Sequence, residues 1–266
     1  MTTPALDLRV DGSSDGSVAE ITLTRPELFN RFDDALHVEL TSALDSLRRD
    51  EKVRAVVLAS TGKVFSAGGD FDLMRAAQAD VGTRLRIVDD GRRLLDALIS
   101  LPQPLVVALQ GAAIGLGATV VLTADAIVAA RGATLSDPHV ALGLVAGDGG
   151  CLVWPQAVGM LRARRHLLTG DPVDAEAAHA MGLVTDLVDT PDEVLPAARA
   201  LAARIAALPP LAVQGTKRAL NRVTQLRAGE VVDLSLAHEE TTLASRDLLE
   251  AIDSFHERRP GTYLGN

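Results

Sequence analysis

A single cysteine, Cys151, stands among 266 residues, so no intramolecular disulfide can form and a cysteine-rich metal site is excluded. This usage is consistent with a reducing compartment, and Cys151 reads as a small packed side chain. Aromatic residues make up only 3% of the chain, so the core must be filled by Ala, Val and Leu. No stretch approaches eighteen uninterrupted apolar residues, and the opening MTTPALDLRV lacks a basic region followed by an apolar run. Neither a membrane span nor a secretory leader is expected, and the chain is read as cytoplasmic. Basic residues are in the minority: 26 Lys and Arg against 35 Asp and Glu give a net charge of −9, which argues against a broad face for nucleic acid. A ligand with a few phosphates can still be held where basic residues gather, with Arg25, Arg31 and Lys63 as candidates.

The length is ample for one large core with a helical extension. DLRV, AEITLT and VRAVVLAS read as strands, the first two joined by a turn. The helix DDALHVELTSALDSLRRD lies between the second and third, with Ala35, Leu36, Leu40, Ala43, Leu44 and Leu47 at helical spacing. VRAVVLAS has the β-branched, uninterrupted apolar pattern of a strand buried on both faces. A helix over about 82–100 ends at LPQP, whose Pro102 and Pro104 admit the strand LVVAL. AIVAA and ATLS follow as strands, and the alternation defines an α/β fold.

From Gly150 onward helices dominate, at about 150–158, 160–169, 174–181, 192–207, 210–223 and 228–256, with one short strand near LVTDLV. A core over 1–200 and a helical region over 201–266 are expected. The last helix carries Val231, Val232, Leu234, Leu236, Leu243, Leu248, Leu249, Ile252 and Phe255, more apolar residues than one buried stripe needs, which points to a subunit interface.

Two glycine-broken turns carry the chemistry. VFSAGGDFDLM (64–74) and LQGAAIGLGATVVLTAD (109–125) each enter a helix, and such turns can aim backbone N–H groups at one point. Neither is a nucleotide loop: GAAIGLG does not reproduce GxGxxG after a first strand, and TGKVFSAGGD lacks the spacing GxxxxGK[ST]. Val64 stands where a nucleophile elbow needs glycine, so Ser66 is not an acyl-transfer nucleophile. Asp70 and Asp72 form a DxD without a third ligand nearby, and a helix start is the simpler role, so no metal is expected. His37, His166, His179, His238 and His256 fall in apparent helices and read as surface or packing residues.

With SDPHVALGLVAGDGG, LTGDPVDAEAAHAMGLVTDLV and a helical C-terminus, these motifs follow one another in an order that resembles the crotonase, or enoyl-CoA hydratase/isomerase, superfamily from about residue 20 to the end. The resemblance implies a spiral of repeated ββα units with C-terminal helices that form trimers, often paired into hexamers. It implies an acyl-CoA thioester substrate, with coenzyme A part of the substrate and no permanently bound cofactor. By the same matching, the backbone N–H groups of Gly69 and Leu116 would polarise the thioester carbonyl and stabilise an enolate. Leu116 departs from the usual glycine, which keeps the donor and changes the space above it. The backbone around Leu28 to Asn30 and around Ala67, with Gly69, Gly115 and Leu116, would meet the coenzyme, Asp70 would order the loop, and Arg258 and Arg259 would serve a phosphate of a neighbouring subunit.

The departures are Thr119 and His139, at the positions of the family's two catalytic glutamates. A threonine hydroxyl is no base near neutrality, whereas imidazole both takes and gives a proton. Thr119 then becomes a polar or water-holding residue and His139 the acid/base, with Asp148 nine residues on as its orienter. The plainer alternative has His139 capping a turn and Asp148 capping the following helix. The His139, GLVAGDGG and Asp148 layout is similar to the β-diketone hydrolase branch, whose extra histidine falls at Leu116 and is absent, and whose further acid falls at Glu239 or Glu240. Three readings stay open: an enolate-forming acyl-CoA enzyme, a carbon–carbon bond hydrolase of a β-diketone or 3-oxoacyl-CoA, and a non-catalytic acyl-CoA-binding paralogue.

Overall fold

The structure, a computed structural model, describes residues 4–11 and 17–266. β1 (Leu6–Asp11) and β2 (Ser17–Leu23) pair antiparallel, and the turn expected between them falls on 12–16, outside the described residues. α1 (Asp34–Arg48) starts where the Asp33 carboxylate accepts the Leu36 N–H, and its buried stripe runs from Leu36 and His37 to Leu47. β3 (Val53–Ser60) is buried almost throughout, as its apolar run required.

The chain then repeats a pattern. β4 (Val64–Ser66) leads into α2 (Phe71–Ala79) and α3 (Val81–Ser100); β5 (Leu105–Leu109) and β6 (Ala112–Ile114) lead into α4 (Leu116–Leu122); β7 (Ala126–Ala130) and β8 (Thr134–Ser136) lead into a 3-10 turn at His139–Leu142. β3, β5 and β7 lie in one sheet, while β4, β6 and β8 lie in the other, so each ββ step passes from sheet to sheet. This is the expected ββα spiral. The remaining elements are α5 (Gly150–Val158), α6 (Met160–Thr169), β9 (Val173–Asp174), α7 (Ala175–Met181), β10 (Asp186–Val188), α8 (Pro191–Ala206), α9 (Pro210–Leu243) and α10 (Arg246–Glu257). The strand orders are β1-β2-β3-β5-β7-β10 and β4-β6-β8-β9.

The alanine content has a structural reason. α8 presents Val194, Ala198, Ala202 and Ala206 along one stripe, against Ala55, Val57, Ala108 and other small residues of the larger sheet. Small side chains on both surfaces let helix and sheet approach closely and pack without voids. α8 runs across residue 200, so the helices beyond the sheet layer begin at Pro210.

α9 differs from its expected form. It is one helix of 34 residues, and the break comes at Ala244–Ser245 rather than at 224–227. Gly229 lies in open space, where a glycine costs the helix about 1 kcal/mol without stopping it. Ser245, whose hydroxyl accepts the Leu248 N–H, caps the separate α10. Lys217 anchors α9: its Nζ donates to Gln103 O at 2.8 Å and to the Asp125 carboxylate at 2.6 Å. No single helix among the described residues is long and apolar enough to cross a membrane.

Candidate active site

The segment around Leu28 to Phe32 runs beside Ala67 to Asp70, held by Ala67 N–H to Phe29 O, Phe32 N–H to Gly68 O and Asp70 N–H to Phe32 O. Asn30 works inside this joint. Its Oδ1 accepts the Arg25 N–H at 2.9 Å and its Nδ2 donates to Thr61 O at 2.9 Å, so its buried side chain fixes the loop. Asp70 caps α2 by accepting from Asp72 and Leu73 N–H, and its other oxygen pairs with Arg31 at 2.8 Å. Arg25 is committed to a bidentate pair with Asp33, and Arg259 pairs with Glu250 and Glu257.

One cleft of about 540 Å³, counting the space at its mouth, collects Gly69, Asp70, Leu116, His139, Asp148 and Glu239. Phe32, Leu73 and Met74 line it, as do Ile87, Val88 and Gly91 of α3. The N–H groups of Gly69 and Leu116, the latter in the opening turn of α4, have no protein acceptor among the described residues. Gly115 sits behind Leu116: a Cβ there would stand 3.4 Å from His139 Cε1, which places the imidazole against the start of α4. Leu28, Asn30 and Ala67 lie outside the cleft lining, along the joint that borders it. Thr119 is also outside the lining. It is 1% exposed, with its hydroxyl unpartnered and its methyl toward Gly149.

His139 is 6% exposed and lies between two carboxylates. Asp137 Oδ1 is 2.5 Å from Nδ1, and Asp148 Oδ2 is 3.4 Å from Nε2. Asp137, to which the sequence motifs assign no role, therefore fixes the ring, and Asp148 faces the other nitrogen. The Asp–Pro–His run could have signalled this, since proline sets the turn that folds the carboxylate back onto the ring. Asp148 does not act as a helix cap: the N-cap of α5 is Gly149, and no side chain caps that helix.

Of the two glutamates left open, Glu239 enters the cluster, at 8% exposure. Two glycines make room for these acids: a Cβ on Gly150 would come 2.3 Å from Asp137 Oδ2, and one on Gly147 would come 2.6 Å from Glu239 Oε2. His37, expected to be a packing residue, packs edge-on against Phe32 and also lines the cleft.

Burial alone would depress the His139 pKa, but the Asp137 and Asp148 carboxylates outweigh it and hold the imidazole well above its usual value. Burial pushes the Glu239 carboxyl well up, the Asp148 and Asp137 charges add to that, and His139 partly offsets it. Burial also raises the Cys151 thiol, so no reactive thiolate stands beside the site.

The family model for enoyl-CoA hydratase/isomerase matches residues 13–266, and the chain belongs to that family. It is 31% identical over 251 residues to the 1,2-epoxyphenylacetyl-CoA isomerase of Escherichia coli, covering 93% of this chain and 95% of that protein. It is 30% identical over 250 residues to the short-chain-enoyl-CoA hydratase of Clostridium acetobutylicum, covering 92% and 93%. The crystal structure of an enoyl-CoA hydratase/isomerase from Mycobacterium paratuberculosis superposes with a TM-score of 0.89 at 35% identity, covering 95% of this chain and 98% of that one.

Proposed function

We propose that this enzyme acts on an acyl-CoA thioester through an enolate held by the Gly69 and Leu116 N–H groups, with His139 as the acid/base. The observation that carries this reading is that Gly69 and Leu116, whose N–H groups have no protein acceptor among the described residues, line one cleft with His139. A carbonyl oxygen gains full negative charge only as the α-proton leaves, so fixed N–H dipoles favour that state over the ground state, by about 3 to 4 kcal/mol per donor in comparable sites. Asp137 holds the Nδ1 side. The 3.4 Å from Nε2 to Asp148 is long for a hydrogen bond, so Nε2 can exchange this partner for a substrate atom.

The joint of Leu28, Asn30 and Ala67 with Gly69, Asp70, Gly115 and Leu116 then carries the coenzyme A portion, which arrives with the substrate. The exposed Leu211, Leu220, Val223 and Leu234 of α9 carry contacts of a trimer or a dimer of trimers.

Cleavage of a carbon–carbon bond in a β-diketone or 3-oxoacyl-CoA is the second reading, favoured by the presence of Glu239 beside His139 and Asp148. Both readings pass through an enolate. The test is α-proton exchange in deuterated water, followed by NMR on acyl-CoA and cyclic β-diketone substrates, comparing the wild type with His139→Ala. Exchange on acyl-CoA that is lost in the variant is expected. Ring-opened products from diketones alone would move the assignment to the hydrolase, and no exchange on any substrate would leave a binding protein.

A further inference from the structure

Three side chains from three segments of the chain present ligand atoms to one another. His139 comes from the 3-10 turn after β8, Asp148 from the loop before α5, and Glu239 from near the C-terminal end of α9, and one atom of each lies within 4.8 Å of the others. All three are more than nine-tenths buried. Asp148 Oδ1 and Glu239 Oε2 have no hydrogen-bond partner among the described residues, which is costly for buried carboxylate oxygens. With Asp137, three carboxylates surround a single imidazole, and neither Lys nor Arg lines the cleft. The cluster holds more negative charge than its one cationic group can balance.

We propose that His139 Nε2, Asp148 and Glu239 form a three-ligand site for a first-row divalent cation of the Zn²⁺ class, with its remaining position open to the cleft. Ligands about 2.0 to 2.1 Å from a tetrahedral ion stand about 3.4 Å from each other, and the separation of His139 Nε2 from Asp148 Oδ2 is 3.4 Å. Glu239 closes onto the ion by rotation about its side-chain bonds. Asp137 supplies the partner such a site needs, a carboxylate on the second ring nitrogen that directs Nε2 to the metal and raises its basicity. An imidazole among the ligands favours zinc, iron or nickel over magnesium, calcium or manganese.

Occupancy has a functional consequence. The ion takes Nε2, the nitrogen that the proposed function uses for proton transfer, so the loaded enzyme is silent in His139-dependent exchange. This second part rests on that proposed function; the binding site itself does not.

The experiment uses the full chain, stripped with EDTA, dialysed, and titrated with Zn²⁺ by calorimetry and with Co²⁺ by visible absorption. One equivalent per chain is expected, with protons released on binding. Glu239→Gln and Asp148→Asn are each expected to weaken binding at least tenfold, and Glu240→Gln, one residue away, to leave it unchanged. Circular dichroism confirms that each variant is folded. Absence of stoichiometric binding, or binding indifferent to Glu239→Gln, overturns the site. Deuterium exchange is then read against occupancy: a fall in proportion to bound metal supports the silencing, and full exchange at saturation overturns it while the site stands. If no substrate exchanges at all, the proposed function fails, and the two titrations still decide the metal site.

Discussion

Asp137 and His139, two residues apart with only Pro138 between them, face each other across 2.5 Å, so the charge that governs the imidazole comes from its own turn. Asp137 raises the His139 pKa, and removing its charge must lower it. In metal-stripped Asp137→Asn enzyme, the ionisation that controls kcat/KM for α-proton exchange is expected to move to lower pH. An unchanged pH profile would show that Asp137 has no part in setting the His139 proton.

Glu239 is also shifted upward, by burial first rather than by a charged partner. Its folded pKa lies above the unfolded value, so the folded state holds a proton that the unfolded state has released. Stability is therefore full below the unfolded carboxylate value and is lost as pH rises toward the folded one. Glu239→Gln removes that loss. Its melting temperature is expected to exceed the wild type at pH 8, by about 2 to 4 °C for each ~1 kcal/mol recovered, and to match it near pH 4. Scanning calorimetry of the metal-free proteins at both pH values checks this.

These two acids also mark how far the sequence could be read. The turns carrying Gly69 and Leu116 were legible because glycine punctuation and flanking apolar runs are local signals, and so was the alternation of β3, β5 and β7 with helices. His139 was legible as a departure from the glutamate the resemblance implied. Asp137 was not, because a carboxylate beside a proline looks like an ordinary turn residue. Glu239 could be narrowed only to a pair of neighbours, since its place depends on which face of α9 crosses the cleft, a fact of packing between segments a hundred residues apart. The α9 break was misplaced for a related reason: Gly229 weakens a helix locally, and tertiary support carried the helix through it.

Leu116 sets the space above its own N–H, at 6% exposure. Leu116→Ala keeps the donor and opens the cleft. Turnover of short acyl-CoA substrates should stay within a few fold, while kcat/KM for bulkier acyl groups should rise about tenfold relative to them, the effect of roughly one or two methylenes of added room. Competition between two acyl chain lengths in one reaction reads the ratio directly.

Lys217 is the clearest stability test away from the cleft. Its side chain is 5% exposed and bonded to Gln103 O and Asp125, so Lys217→Met removes the ammonium from Gln103 O and leaves the Asp125 carboxylate with the Leu105 N–H but no cation. A loss of about 2 to 3 kcal/mol in urea denaturation is expected, below the usual cost of breaking a buried pair because Asp125 keeps 29% of its side chain exposed.

The same lysine has a mechanical consequence. Glu239 lies 22 residues beyond Lys217 on one uninterrupted helix, a distance of about 33 Å at 1.5 Å per residue. α9 is then a rod held by Lys217 near its start and by Ser235, whose hydroxyl donates to Gly147 O one turn before the carboxylate. Where those two bonds hold the rod is where Glu239 stands, so whatever leans on the outer flank of α9 has a hand on the chemistry.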